Sequence, residues 1–244
     1  MNNNLKVVAD YHTHTIYSDG KGTIEQNVKS AIDKGLEIIG ISDHGYKHMW
    51  FGVKYNLFEK MRYEIDLMKE KYPQIKILLG VECNILDDRG NIDIDDKILG
   101  YFDYVMAGYH FGSMPTRWTR GMRNHFNNYF KPLKSLEKAY NTRALINAMR
   151  NNDIFVLTHP GDKGDVDIIE VAKAAQETKT YMEINSHHKN LSIEQLRLIK
   201  NIDVEYILGS DSHLPNHVGD FTNALERAIS AGVDIDKIVN VRRV

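Results

Sequence analysis

The chain has 244 residues, of which 42% are hydrophobic and 26% charged, with a formal net charge of −2 and one cysteine. This composition predicts one globular domain over residues 1–244, and the charge balance argues against nucleic acid as a partner. The single cysteine excludes an internal disulfide framework, and neither a membrane span nor the apolar core of a signal peptide is found, so we expect a cytoplasmic protein.

Short apolar runs alternate along the chain with segments of helical periodicity. In order, the runs are LKVVAD, EIIGIS, IKILLGVE, DYVMAG, IFVLTH, TYMEIN and VEYILGS. Helices are predicted near residues 23–34, 55–71, 136–150, 166–178, 192–201 and 219–231. Such strand–helix units predict an α/β fold with parallel strands covered on both faces. The pattern fits an open doubly wound sheet and a closed barrel equally well.

Two connections stand out between these elements. Residues 84–94, NILDDRGNIDI, read as a β-hairpin with Asp-Arg-Gly at its turn. Residues 111–135 form a long connection with weak periodicity, and connections of that length in compact domains are usually functional.

Every predicted strand ends in polar side chains of a kind that binds metal ions. Nine are candidate ligands: His12, His14, Asp19, His44, Glu82, His110, His159, Asp211 and His213. The C-terminal ends of parallel strands form the site in α/β folds, so closure into a barrel would bring these side chains together. Residues two apart on a strand share a face, which pairs His12 with His14 and turns Cys83 away from the site.

Imidazoles and carboxylates without a thiolate favour zinc, iron or manganese. Nine ligands exceed the needs of one ion, so we expect two or three divalent ions, with Glu82 as a bridge. Three such ions carry a charge of about +6, which Asp19, Glu82 and Asp211 only partly offset, so the mouth favours an anionic substrate. Paired metals generate hydroxide at neutral pH and hold the oxygens of a transferring phosphoryl group, which favours phosphate ester hydrolysis.

Further residues are candidates for supporting roles. Asp10 precedes His12 on the same face and either fixes its tautomer or simply meets solvent or a backbone amide. Arg117, Arg120 and Arg123 lie three apart in the long connection and would share one face if that connection is helical. They are candidates for binding the substrate phosphate or for forming part of a lid, and the alternative is an ordinary solvated basic loop. His187 follows the sixth strand and is a candidate substrate-binding residue.

The motifs DYHTHTIYSDG, ISDHG, GVECNI, AGYH, THPG and GSDSH, in this order, resemble the PHP (polymerase and histidinol phosphatase) superfamily. The compact length and the segment after GVECNI look most like the small stand-alone YcdX-like phosphatases. The resemblance implies a distorted, TIM-like (β/α)7 barrel with a trinuclear metal site at the C-terminal ends of its strands. This selects the closed barrel over the open sheet.

The same resemblance assigns the candidate ligands to three ions. It implies a first ion held by His12, His14, Glu82 and Asp211, and a second held by Glu82, His110 and His159. It implies a third ion held by His44, His213 and a turn residue. Some relatives have a histidine in that turn, whereas this chain offers Asp19.

The predicted function is metal-dependent hydrolysis of a phosphate monoester by a metal-bound hydroxide, without a side-chain nucleophile. The expected partner is a small phosphorylated metabolite, and a homo-oligomer is compatible with the sequence. The alternatives are a histidinol-phosphate phosphatase, a PHP nuclease, a metal-dependent amidohydrolase and a non-catalytic interaction barrel. Amidohydrolases typically carry a lysine at the fourth strand end, where AGYH supplies His110.

Overall fold

The computed structural model describes residues 5–244 as a nearly closed barrel of seven parallel strands with helices outside it. Each barrel strand pairs with its neighbours in chain order. The strands are β2 (Ala9–Asp10), β3 (Ile38–Ile41), β4 (Lys76–Asn84), β5 (Tyr104–Gly108), β6 (Val156–Leu157), β7 (Tyr181–Asn185) and β8 (Tyr206–Gly209). This architecture confirms the predicted distorted (β/α)7 barrel.

The barrel closes beyond the ends of its first and last strands. Thr13 and Ser212 form an isolated parallel bridge between the segments that follow β2 and β8. The amide of His14 donates to the carbonyl of Ser212 at 2.8 Å, and the amide of Ser212 donates to the carbonyl of His12 at 3.3 Å. Closure is thus made by the same segments that carry two of the predicted ligand pairs.

Eight helices occur among the described residues. They are α1 (Ile24–Asp33), α2 (Phe58–Lys71), α3 (Asp96–Leu99), α4 (Trp118–Tyr129), α5 (Lys138–Asn151), α6 (Ile168–Thr178), α7 (Ile193–Ile199) and α8 (Thr222–Ala231). Capping boxes begin two of them, because Thr23 pairs with Gln26 and Ser192 pairs with Gln195. None of the helices within residues 5–244 is long and apolar enough to cross a bilayer.

Tightly packed side chains fill the barrel interior below the strand ends. Tyr104, Met106, Val156 and Ile207 form a buried cluster there. A Cβ atom at Gly40 would lie 2.1 Å from the Tyr104 hydroxyl, and one at Gly80 would lie 2.2 Å from its ring. A side chain at either glycine position would collide with Tyr104. Glycine at both positions therefore allows the Tyr104 ring to fill the barrel interior below the mouth.

Three features differ from the predicted elements or add to them. The first predicted strand is divided, because β1 (Leu5–Val7) pairs antiparallel with β9 (Val241–Arg243) outside the barrel. The segment 84–94 turns back on itself, but only Ile85 and Ile92 form a bridge. The long connection 111–135 contains α4, which the weak periodicity did not predict.

Candidate metal centre

Glu82 lies at the centre of the predicted ligands, at the end of β4, and is almost fully buried. Its Oε1 atom is 3.1 Å from His110 Nε2 and 3.0 Å from His159 Nε2. Its Oε2 atom is 3.4 Å from His12 Nε2 and 3.7 Å from His14 Nε2. Its Oε2 atom also lies 3.0 Å from His44 Nδ1, so one carboxylate faces five imidazoles through two different oxygens, which is the geometry that a bridging ligand needs.

His12 and His14 also face Asp211, whose Oδ1 lies 3.5 Å and 3.3 Å from their Nε2 atoms. These contacts lack hydrogen-bond geometry, and within residues 5–244 His12 Nε2 and both ring nitrogens of His14 have no hydrogen-bond partner. A buried polar atom without a partner costs roughly 1–3 kcal/mol. Imidazole nitrogens and carboxylate oxygens converging without mutual hydrogen bonds fit a divalent ion as the missing partner.

A third group of side chains surrounds Asp19. Its Oδ1 atom lies 3.3 Å from His213 Nε2, 3.7 Å from His44 Nε2 and 4.0 Å from His14 Nδ1. These four side chains can offer ligand atoms that all lie within 4.8 Å of one another. The turn residue of this chain thus lies within reach of an ion held by His44 and His213.

Asp43 builds the turn that presents Asp19. Its carboxylate accepts hydrogen bonds from the amide and hydroxyl of Thr15, at 2.7 and 2.6 Å, and from the hydroxyl of Ser18 at 2.5 Å. Gly20 then passes against the backbone of His14, where a Cβ atom would lie 2.5 Å from the carbonyl. The Ser-Asp-Gly sequence is therefore fixed by packing against β2 and β3.

Glu183, and not Asp10, orients the ring of His12. Asp10 accepts backbone amides only, from His12 and Ser210 at 3.3 Å and from Gly219 at 2.8 Å. The Nδ1 atom of His12 instead lies 2.6 Å from Glu183 Oε1. The predicted tautomer-fixing role of Asp10 is thus corrected: its carboxylate holds the backbone where barrel strands meet, and Glu183 holds the ring.

Glu183 also links His12 to the other side of the centre. Its Oε2 atom accepts the amide of His159 at 2.9 Å and the side-chain amide of Asn185 at 2.9 Å. Gly209 makes room for this carboxylate, since a Cβ atom there would lie 2.0 Å from Oε1. Glu183 therefore positions one histidine through its ring and another through its backbone.

Two candidate ligands have left-handed backbone conformations, His159 with φ of 26° and Asp211 with φ of 52°. Such angles are uncommon for residues other than glycine and are concentrated at functional sites, where surrounding contacts maintain them. Here the amide of His159 is held by Glu183, and the carboxylate of Asp211 accepts from Asn185 at 3.1 Å. In these conformations His159 Nε2 lies 3.0 Å from Glu82 and Asp211 Oδ1 lies 3.3 Å from His14 Nε2.

The centre shifts the pKa values of its members in opposite directions. Burial alone would raise the pKa of Glu82, but His110 and His12 outweigh it and hold that pKa well below its usual range. Burial lowers the pKa of His12, yet the carboxylates of Glu183, Asp211 and Glu82 raise it well above its usual value. Burial dominates at His110 and lowers its pKa to about 3.

A cavity of about 340 Å³ opens above the centre, and some of its wall was not predicted. His187 lines it and is exposed at its rim, as a substrate-binding residue requires. His188 lines it too, with Nδ1 3.2 Å from Asp162 and Nε2 3.3 Å from Asp211. Lys163 adds a cation that follows His159 by four residues in THPGDK, a spacing that could have indicated it.

The three predicted arginines lie elsewhere. Arg120 is hydrogen-bonded to buried Glu137 at 2.5 Å, with its guanidinium 3.9 Å from the centroid of the Tyr140 ring. Arg123 Nε is 3.9 Å from Glu137, and Arg117 is exposed at the start of α4. None of the three lines the cavity above the metal centre. Helix α4 directs these cations toward α5 and solvent.

Comparison with known proteins agrees with this arrangement. The PHP domain family model matches residues 10–187. A probable phosphatase of Thermoanaerobacter sp. (strain X514) is 34% identical, with 97% of this chain and 91% of the relative covered. A probable phosphatase of Caldanaerobacter subterraneus subsp. tengcongensis is also 34% identical, over 91% of this chain and 82% of the relative.

A solved structure shares the fold. The histidinol phosphate phosphatase of Lactococcus lactis, crystallised with zinc, L-histidinol and phosphate, superposes with a TM-score of 0.62. The two chains are 17% identical, and the match covers 93% of this chain and 95% of the other. The family match spans six of the seven strand ends, and the relatives cover almost the whole chain at 34% identity. The chain belongs to the PHP domain family.

Proposed function

We propose that this protein is a metal-dependent phosphatase that hydrolyses small phosphate monoesters in the cytoplasm at a site for three divalent ions. The observation that carries the proposal is the convergence of eight ligand-type side chains around a ninth, buried Glu82. The relatives that match over most of their length are named probable phosphatases, which supports a hydrolase of this class. Zinc, iron and manganese suit the donor set.

We assign the nine candidate ligands to three ions. His12, His14, Glu82 and Asp211 would hold one ion. Glu82, His110 and His159 would hold the second, and Asp19, His44 and His213 the third. Ions so bound lower the pKa of water and neutralise the charge of a transferring phosphoryl group.

Other residues of the site orient the metal ligands or face the cavity where the substrate would bind. Glu183 fixes His12 and the backbone of His159, so the ligand atoms are held before substrate arrives. Lys163 and His187 face the cavity where the phosphate would enter. Cys83 is fully buried in the core between the strands and the helices, away from the cavity, so its thiol is not a nucleophile.

The reaction requires no covalent enzyme intermediate. The oxygen of water bonds to phosphorus as the ester P–O bond breaks, and a proton passes to the leaving alcohol. The products are an alcohol and inorganic phosphate. Histidinol phosphate belongs in the substrate panel, because a structural neighbour was crystallised with L-histidinol and phosphate.

Metal analysis combined with a phosphatase panel tests this proposal. The panel comprises p-nitrophenyl phosphate, nucleotides and histidinol phosphate, with wild type and His12→Ala compared. We expect at least two bound ions per chain in wild type, and a loss of both metal and activity in His12→Ala. His217→Ala, which changes an exposed histidine outside the ligand groups, is the matched control and should behave as wild type. Fewer than two ions, or equal activity in all three proteins, would exclude the mechanism.

A further inference from the structure

Two aromatic side chains are displayed at the mouth of the barrel, Trp50 at 68% exposure and Phe51 at 44%. We call this pair the aromatic wall. Both line the cavity above the metal centre, and both also line a neighbouring cavity of about 510 Å³. The two cavities therefore share the aromatic wall as their common boundary.

The aromatic wall is held in place by buried contacts. The ring nitrogen Nδ1 of buried His48 accepts the backbone amides of Trp50 at 3.4 Å and Phe51 at 3.2 Å. On either side of His48, the amide of Met49 donates to Gly112 at 2.9 Å, and the carbonyl of Lys47 accepts from Met114 at 2.8 Å. These bonds attach residues 47–49, which precede the aromatic wall, to the loop that follows His110.

Glycines allow the close approach that this arrangement needs. Gly112 has φ of +88°, and a Cβ atom there would lie 2.5 Å from the indole ring of Trp50. A Cβ atom at Gly52 would lie 2.7 Å from the carbonyl of Gly45. These contacts fix the backbone of the aromatic wall and place the indole ring of Trp50 against Gly112, while most of the ring stays exposed.

The second cavity has the size of a small-molecule site. Its volume lies within the range of about 300–1,000 Å³ typical of ligand pockets. Its lining includes apolar Ile16, which is 60% exposed, and Leu57, together with the charged side chains of Lys54, Lys60 and Glu64. The apolar side chains would hold a flat ring by burial and by offset or edge contacts with the aromatic wall.

We propose that the aromatic wall binds a planar, largely apolar ring in the alcohol part of the substrate, which makes the preferred substrate a ring-bearing phosphate monoester. This inference rests on the proposed phosphatase function and specifies its substrate class. The phosphate would lie over the metal centre while the ring extends past Trp50 into the second cavity. Trp50 and Phe51 would then determine specificity without contacting the reacting phosphorus.

Kinetics with two aliphatic esters provide the first test, with benzyl phosphate carrying a ring and glycerol 1-phosphate carrying none. Both leaving groups are primary alcohols, so the chemical step is comparable. We expect a higher kcat/KM for benzyl phosphate, and Trp50→Ala should reduce the benzyl-to-glycerol ratio of kcat/KM about tenfold. Trp118→Phe, which changes the exposed tryptophan of α4, is the matched control and should leave the ratio unchanged.

Fluorescence provides a readout that does not depend on turnover. Trp50 and Trp118 are the only tryptophans, so the Trp118→Phe variant reports on Trp50 alone. Benzylphosphonate should change the emission of that variant with saturation, and methylphosphonate should do so less. Equal kcat/KM for the two esters, or an equal effect of Trp50→Ala on both, would overturn the inference while the phosphatase function stands. Hydrolysis of neither ester would overturn both, and dissociation of an oligomer by Trp50→Ala would assign the aromatic wall to a second copy instead.

Discussion

The barrel mouth and the seam between α4 and α5 both bury polar side chains, but they differ in how these groups are satisfied. In the seam, Asn128 and Asn141 exchange two side-chain hydrogen bonds of 3.1 and 2.9 Å. Asn127 donates to buried Glu137 at 2.6 Å, and Arg120 donates to the same carboxylate. Most of these polar groups are satisfied by one another, although Arg120 Nη1 and Asn124 Oδ1 have no hydrogen-bond partner among the described residues.

The mouth shows the opposite pattern. His12 Nε2 and both ring nitrogens of His14 lie near carboxylates without hydrogen bonds in the part of the chain that the structure describes. The comparison shows that buried polarity alone does not identify a site. What distinguishes the mouth is that several unpartnered ring nitrogens, on His12, His14 and His44, converge with carboxylate oxygens at one place, which suits a shared ligand.

The largest expected effect comes from the centre of the mouth. Glu82→Gln removes the charge that faces five histidines, and we expect loss of bound metal together with a decrease in kcat/KM of about 10³-fold or more. Elemental analysis and steady-state kinetics measure the two effects. If the variant keeps its metal and its activity, the polar cluster at the mouth is structural, like that of the seam, and is not a metal centre.

A sharper comparison uses two buried glutamates, one from each region. Glu183→Gln loses the charge that holds His12 Nδ1, and we expect metal affinity to fall about 10–100-fold. Glu137→Gln changes a carboxylate that is equally buried but lies in the seam, and metal affinity should not change. Titration with a competing chelator measures both affinities, and equal losses would contradict the assignment.

The seam should respond in stability and not in activity. Asn128→Leu breaks the reciprocal pair and leaves polar atoms of Asn141 unsatisfied, so we expect the free energy of unfolding to fall by about 1–3 kcal/mol with kcat/KM unchanged. Urea denaturation measures the loss. Asn201→Leu is the matched control on the exposed surface and should cost less than about 0.5 kcal/mol. A decrease in kcat/KM for Asn128→Leu would link the seam to the reaction.

The smallest expected effect is a change in KM that distinguishes the roles of Lys163 and Arg123. Lys163 lines the cavity, whereas Arg123 lies beside Glu137, so Lys163→Met should raise KM about fivefold and Arg123→Met should not. Initial rates over a range of substrate concentrations give both values. The reverse result would restore the arginines of α4 as phosphate ligands.

Most candidate ligands at the mouth could be predicted because each is recognisable from the few residues around it. A ligand residue at a strand end is recognisable from the apolar run that precedes it, and the spacing of two in HTH and DSH fixes a common face. The partner of His12 was harder to predict. Asp10 and Glu183 both carry carboxylates at strand ends, and only the three-dimensional arrangement of β2, β7 and β8 places Glu183 against the ring.

Helix α4 was not predicted although its apolar side chains Trp118, Met122 and Phe126 recur at helical spacing. No side-chain cap marks its start at Arg117, so the sequence lacks a clear start signal. Its polarity is also inverted, because Asn124, Asn127 and Asn128 are buried whereas Trp118 and Phe126 are exposed, and periodicity alone does not show which face is buried. The same inversion misdirected the arginine prediction, because the helix face of Arg120 and Arg123 turned out to meet Glu137.

The filled barrel interior has a kinetic consequence. Tyr104, Met106, Val156 and Ile207 leave no passage through the barrel below Glu82, so the mouth is a blind-ended chamber. In the proposed reaction, substrate, alcohol and inorganic phosphate would all use one opening, and phosphate left in the chamber would occupy the place of the next substrate. We therefore expect inorganic phosphate to inhibit competitively, raising the apparent KM and leaving kcat unchanged, so that accumulating product would slow the enzyme most when substrate is scarce.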